Sequence, residues 1–193
     1  DDLSEWNVID GNDDGITWDI LNSTGVPSLK EYVRTGNYSV YFYNDNPSSY
    51  ADDYLISNCF FFKKDLWYNF SFSYRALDGA TNENLIVALI DEDGNLVKII
   101  EEIEGFANTS FVKKTIPLTV GLSGNYTILF YTYSDYYGIC GMFIDDINIS
   151  MNCRDIYVYA GNDTTICQGN TVVLNANGNG YITWNDTIVG ASI

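Results

Sequence analysis

Three oxygen-bearing side chains, Asp10, Asn12 and Asp14, occupy alternate positions in the stretch VIDGNDDGITW (8–18), with Gly15 directly after them. That spacing reproduces the front half of a helix-flanked calcium loop, in which side chains at positions 1, 3 and 5 supply oxygens and a glycine turns the chain. The back half is missing: counted from Asp10, loop position twelve should hold a bidentate glutamate and is Leu21. Two readings stay open, a polar turn or a cation site completed from elsewhere in the chain. A candidate for the missing part lies in GMFIDDINIS (141–150). Met142 and Ile144 fall on even positions and Ile147 and Ile149 on odd ones, so the core face switches at Asp145 and Asp146. A strand that changes face within two residues is bulged there. A hard cation between the loop and this bulge would explain both features, because so many carboxylates would otherwise repel one another.

Other chemistry finds little support. The chain has no histidine, which excludes Ser-His and Cys-His nucleophiles and the common zinc patterns. No phosphate-binding glycine loop or GxSxG elbow is present. The nearest carboxylate cluster, Glu101, Glu102 and Glu104, lies at what reads as an exposed strand end, so no enzymatic activity is expected. Four cysteines, Cys59, Cys140, Cys153 and Cys167, permit several disulfides. Cys59 with Cys153 is the preferred pairing, because Cys153 ends the last strand of the main domain; free buried thiols are the alternative. The tyrosine clusters Tyr38, Tyr41, Tyr43, Tyr50, Tyr54 and Tyr131, Tyr133, Tyr136, Tyr137 fit half-buried strands, and some could stack on sugar rings. Tyr136 and Tyr137, in the loop SDYYG, are the expected ligand-binding residues.

The elements that must position these residues read as strands. The 193-residue chain is rich in Tyr, Phe, Ile, Val and Thr, with three prolines and no sustained helical period. Eight strand candidates follow one another: 38–43, 53–62, 68–77, 84–91, 95–103, 111–118, 125–134 and 141–150. Several alternate apolar with polar, which predicts an all-β, two-sheet sandwich. DEDGN (91–95) is read as a tight hairpin turn rather than a metal loop. The net charge of −17, with nine basic residues, makes nucleic acid or an anionic membrane a poor partner. The longest apolar run, LIVALI (85–90), is too short to span a membrane, so a soluble chain whose export signal has been removed is expected.

Together, WNVIDGNDDGITWDI, ADDYLISNCFFF, YNFSFSYRA and GICGMFIDDINIS, in that order, resemble the cleaved-adhesin domain, a jelly-roll module related in architecture to MAM domains. The resemblance covers residues 1–153. It implies calcium bound where the first block meets the last strand, with Asp10, Asn12 and Asp14 joined by Asp145 or Asp146. Cys59 departs from the small residue or proline usual in that family. After Cys153 the texture changes, and AGNDTTICQGNTVVL followed by YITW resembles the start of immunoglobulin-like or PKD-like repeats of secreted bacterial surface proteins. Residues 154–193 are about half of such a sandwich, so a longer parent is expected. The expectation is thus a non-catalytic, Ca2+-stabilised adhesion or recognition module, extracellular or on the cell surface. Its partners would be a glycan or an extracellular protein, with further domains or subunits beside it. The alternative is a structural building block of a long surface protein or filament.

Overall fold

A computed structural model describes residues 3–80, 83–134, 138–152, 158–178, 182–184 and 188–189. The chain divides into two compact units, Asp1–Met151 and Asn152–Ile193. The first is a sandwich of two antiparallel sheets. Its strands are β1 (Asn7–Asp10), β2 (Asp19–Asn22), β3 (Tyr38–Asn44), β4 (Asp52–Ile56), β5 (Phe60–Phe62), β6 (Tyr68–Ala76), β7 (Glu83–Asp91), β8 (Leu96–Phe106), β9 (Val112–Leu118), β10 (Gly124–Tyr133) and β11 (Cys140–Met151), with a 3-10 helix at Pro27–Tyr32. One sheet runs β1-β4-β10-β7-β8, with β5 also on β10, and the other runs β2-β3-β11-β6-β9.

Alternation sets the core. On β10, Tyr126, Ile128, Phe130 and Thr132 point inward, whereas Thr127, Leu129, Tyr131 and Tyr133 point outward. Phe42, Phe70, Phe72, Phe130, Leu55, Leu85 and Met142 fill the space between the sheets. The expected face switch in β11 is present: its register with β6 shifts between Asp145 and Asn148, and Asp146 has φ +52. Ile147 and Ile149 thereby pack against the core. DEDGN is a hairpin turn, with the Asp91 carboxylate accepting from the N–H of Asp93 (3.1 Å) and Asn95 (2.8 Å). Those bonds, led by Asn95, hold its pKa below the usual value.

Two expectations need correction. The run 53–62 is not one strand, because Ser57 interrupts it. The Ser57 N–H donates to Ile128 O (2.9 Å), and its hydroxyl accepts from the Ile128 N–H (2.8 Å). Pairing on β10 then slips by one residue between Ile56↔Leu129 and Phe60↔Tyr126. This turn-out leaves Cys59 a free thiol exposed to solvent, so the preferred Cys59–Cys153 disulfide is not made; Cys153 itself lies outside the described residues. Among the described residues of the second unit, β12 (Val158–Tyr159) pairs with β13 (Asn177–Gly178) and β14 (Thr183–Trp184) with β15 (Ile188–Val189).

Candidate cation and ligand sites

β1 delivers Asp10 opposite Asp53 of β4. The chain then passes so close to β4 that a Cβ on Gly11 would lie 2.3 Å from Asp52 O, while the Gly11 N–H donates to that same oxygen (2.8 Å). The loop folds over its own carboxylates. Asp10 accepts from the N–H of Asp14 (3.2 Å) and Gly15 (2.7 Å), and Asp14 accepts from Ile16 N–H (2.8 Å), Asn12 Nδ2 (3.3 Å) and the Ser49 hydroxyl. Asn12 also donates to Tyr50 O (2.7 Å).

Beneath the loop lies Asp53, only 1% exposed. Its Oδ2 accepts from Asp52 N–H (3.2 Å), whereas its Oδ1 faces the buried Thr17 hydroxyl without a hydrogen bond of normal geometry; Asn12 Oδ1 is likewise buried and unpartnered. Burial pushes the Asp53 carboxyl up to about 7, and the charges of Asp10 and Asp14 add to the effect. Burial also pushes the nearby Cys140 thiol up to about 12, helped by the charges of Glu83, Asp53 and Asp14. No Lys or Arg among the described residues is paired with Asp10, Asp14 or Asp53. As they stand, no three Asp, Glu or Cys side chains of the described residues converge on one point. Asp10 uses both oxygens on backbone N–H groups. The oxygens left for a cation are Asp53 Oδ1, Asn12 Oδ1, Thr17 Oγ1 and, if it turns from Ser49, Asp14 Oδ2. An all-oxygen set of this kind suits a hard cation such as Ca2+.

Asp145 and Asp146 do not join this group. Asp145 accepts from the N–H of Arg34 (2.7 Å), Thr35 (3.3 Å) and Asp146 (2.6 Å). Asp146 pairs with Arg34 (3.1 Å) and accepts from the Thr35 hydroxyl. Both line a cavity of about 170 Å³ together with Leu3 and Trp6. Asp10 stands at the far end of β1 from Trp6, which precedes the strand, with three residue steps of strand, roughly 10 Å, between Asn7 and Asp10. The bulge carboxylates are therefore satisfied by the segment after the 3-10 helix, and the carboxylate facing the loop is Asp53. Its signal was present in ADDYLI, where Asp53 shares the core face with Leu55.

The tyrosines divide between the sheets. On the outer face of the six-stranded sheet, Tyr54 stacks on Tyr131 (4.5 Å, 13°) and Tyr131 on Tyr133 (5.6 Å, 19°). Ile9 and Ile86 flank them in register. Tyr54 donates to Asp52 (3.1 Å) and Tyr133 to Glu104 (3.3 Å). Burial, then the Asp52 carboxylate, raises the pKa of both Tyr54 and Tyr131. Rings this close expose their hydroxyls, their edges and the two end faces of the stack. Tyr136 and Tyr137, expected to contact ligand, lie outside the described residues. Glu101 is engaged by Lys114 (2.7 Å) and Glu104 by Tyr133. On the other sheet, Gly15–Asp19, Tyr41, Tyr43 and Asp45 line a groove of about 340 Å³.

No protein-family model and no curated relative matches this chain. Solved structures do. The K1 cleaved adhesin domain of Lys-gingipain from Porphyromonas gingivalis is 17% identical with a TM-score of 0.59, covering 77% of this chain and 92% of that one. TmCBM61, solved with beta-1,4-galactotriose, is 15% identical with a TM-score of 0.57, covering 78% and 91%. The K2 domain of Lys-gingipain is 19% identical with a TM-score of 0.54, covering 77% and 90%. At these identities the likeness is one of fold: the chain carries the jelly-roll-like β-sandwich shared by cleaved adhesin domains and carbohydrate-binding modules.

Proposed function

We propose that this chain is a non-catalytic, extracellular recognition module that binds a glycan on the outer face of its six-stranded sheet and is stabilised by calcium. The observation that carries the glycan reading is the stack of Tyr54, Tyr131 and Tyr133 between Ile9 and Ile86, with Asp52 and Glu104 at the phenol hydroxyls. A sugar ring offers an apolar C–H face and a rim of hydroxyls, and this surface offers apolar rings beside carboxylate acceptors. A net charge of −17 disfavours sulfated or uronic chains and points to neutral ones. The fold of carbohydrate-binding modules supports the same reading. Calcium would be held by Asp53 with Asn12 and Asp14, supplying the positive charge that the buried carboxylates lack, while Asp10 shapes the loop.

The test is a neutral-glycan array read with the native chain and with Tyr131→Ala. Binding by the first and its loss in the second, at a similar melting temperature, is the expected result. Native chain that captures no glycan would favour the building-block reading, in which a neighbouring subunit covers the apolar face around Ile9 and Ile86. For the metal, EDTA should lower the melting temperature and added Ca2+ restore it by mass action, and identical curves would remove calcium from the account.

A further inference from the structure

The groove on the five-stranded sheet lies on the opposite side of the sandwich from the tyrosine stack, and its chemistry differs. β3 turns Tyr41 and Tyr43 outward two residues apart, about 7 Å. Asp19 of β2 stands opposite Tyr41 in register, and the Tyr41 hydroxyl lies 3.5 Å from its Oδ2. Asp45 follows the end of β3, and its side chain makes no bond with any described residue. The Tyr41 ring lies nearly parallel to Phe143 (6.1 Å, 26°), which in turn stacks on Tyr32 (4.7 Å, 26°), so its plane is fixed from within the sheet. Tyr43 is open to solvent. Two aromatic walls and two carboxylates thus surround a space lined by no Lys or Arg.

We infer that this groove is a second binding site, and that it takes a basic side chain of a protein partner, arginine in preference to lysine. A guanidinium is flat, weakly hydrated and always charged. It can stack on Tyr43 while its donors reach Asp45, with its methylene stem lying along the groove toward Asp19. An ammonium is a compact, strongly hydrated charge that gains less from the rings. A neutral sugar's hydroxyls would hydrogen-bond the two carboxylates without neutralising them, whereas a cation does both, and an anion would be repelled. An amino sugar carries its charge on the ring itself, so it cannot lie along the groove with its charge at one end. The excess of 26 acidic over nine basic residues favours approach of a basic partner at long range.

The site is independent of the glycan reading and is tested separately. The full chain in Ca2+ is titrated with the blocked peptide Gly-Arg-Gly and followed through the ring resonances of Tyr41 and Tyr43. Parallel titrations use Gly-Lys-Gly, Gly-citrulline-Gly and glucosamine. The expected result is saturable shifts with the arginine peptide, weaker ones with lysine and none with citrulline, all weakened by salt. Asp45→Asn should lower the affinity about tenfold. Tyr43→Ala should lower it too, and Tyr131→Ala should leave it unchanged. Citrulline matching arginine would overturn the proposal, as would tighter binding of glucosamine or shifts insensitive to both Asp45→Asn and Tyr43→Ala. Asp45 and Tyr43 are surface groups, so unchanged melting temperatures show that each variant is folded.

Discussion

Asp53 ionises in the unfolded chain near pH 4 but in the sandwich only at about 7, because burial and the charges of Asp10 and Asp14 disfavour its anion. Between those values the native state holds a proton that the unfolded chain has released. Stability from this group is therefore fully present below about pH 4 and falls as pH rises toward 7, by roughly 1.4 kcal/mol per unit and on the order of 4 kcal/mol in all. Asp91, whose pKa is lowered, acts in the opposite direction but only below that window. Bound calcium selects the ionised carboxylate and should cancel the loss. In chelator, the melting temperature is expected to be higher at pH 5.5 than at pH 8, with Ca2+ narrowing the gap. Asp53→Asn should flatten the chelated profile and abolish the calcium response, whereas a chelated melting temperature that climbs with pH would contradict this account. The regular spacing of Asp10, Asn12 and Asp14 made the loop legible in the sequence. Asp53 was harder to see, because a carboxylate at a strand start reads as an ordinary polar edge until its register beside Leu55 is known.

Among the elements, the bulge in β11 could be read from parity alone, since moving Ile147 and Ile149 to the core requires the extra residue that Asp146 absorbs. What the parity did not reveal was the bulge's partner. Arg34 and Thr35 reach Asp145 and Asp146 from more than a hundred residues away. The break between β4 and β5 was hidden for the same reason, as Ser57 makes its bonds to Ile128 on a distant strand. β1 and β2 are four residues each, too short to stand out from the loop between them. That loop depends on the close passage of Gly11 over β4. Gly11→Ala should force the two apart, destabilising the fold by about 1–3 kcal/mol and blunting the calcium response. Gly15→Ala meets open space and strains only a φ of +81, so a loss of about 1 kcal/mol is expected. Chemical denaturation of the two variants would compare them directly, and equal losses would mean that the approach to Asp52 is not tight.

For the molecule as a whole, the buried core runs from Trp18 to Ile144, inside the first unit. A chain ending after Met151 should therefore unfold in one cooperative transition by both circular dichroism and tryptophan fluorescence; separate midpoints for the two signals would show that the sandwich alone is not one cooperative unit. The outer strand β8 bears on a different property. It is an edge of eleven residues with Leu96, Val97 and Ile99 exposed, a ready template for strand addition by another chain. Lys98, Glu101, Glu102 and Glu104 interrupt it, three register irregularities against β7 disturb it, and the molecule's large negative charge keeps copies apart. Near the isoelectric point of about 4.1 the general repulsion vanishes. Acid thus acts on this protein in two opposed ways: it relieves the buried conflict at Asp53 and tightens the single molecule, while making the suspension of many molecules colloidally unstable along one strand.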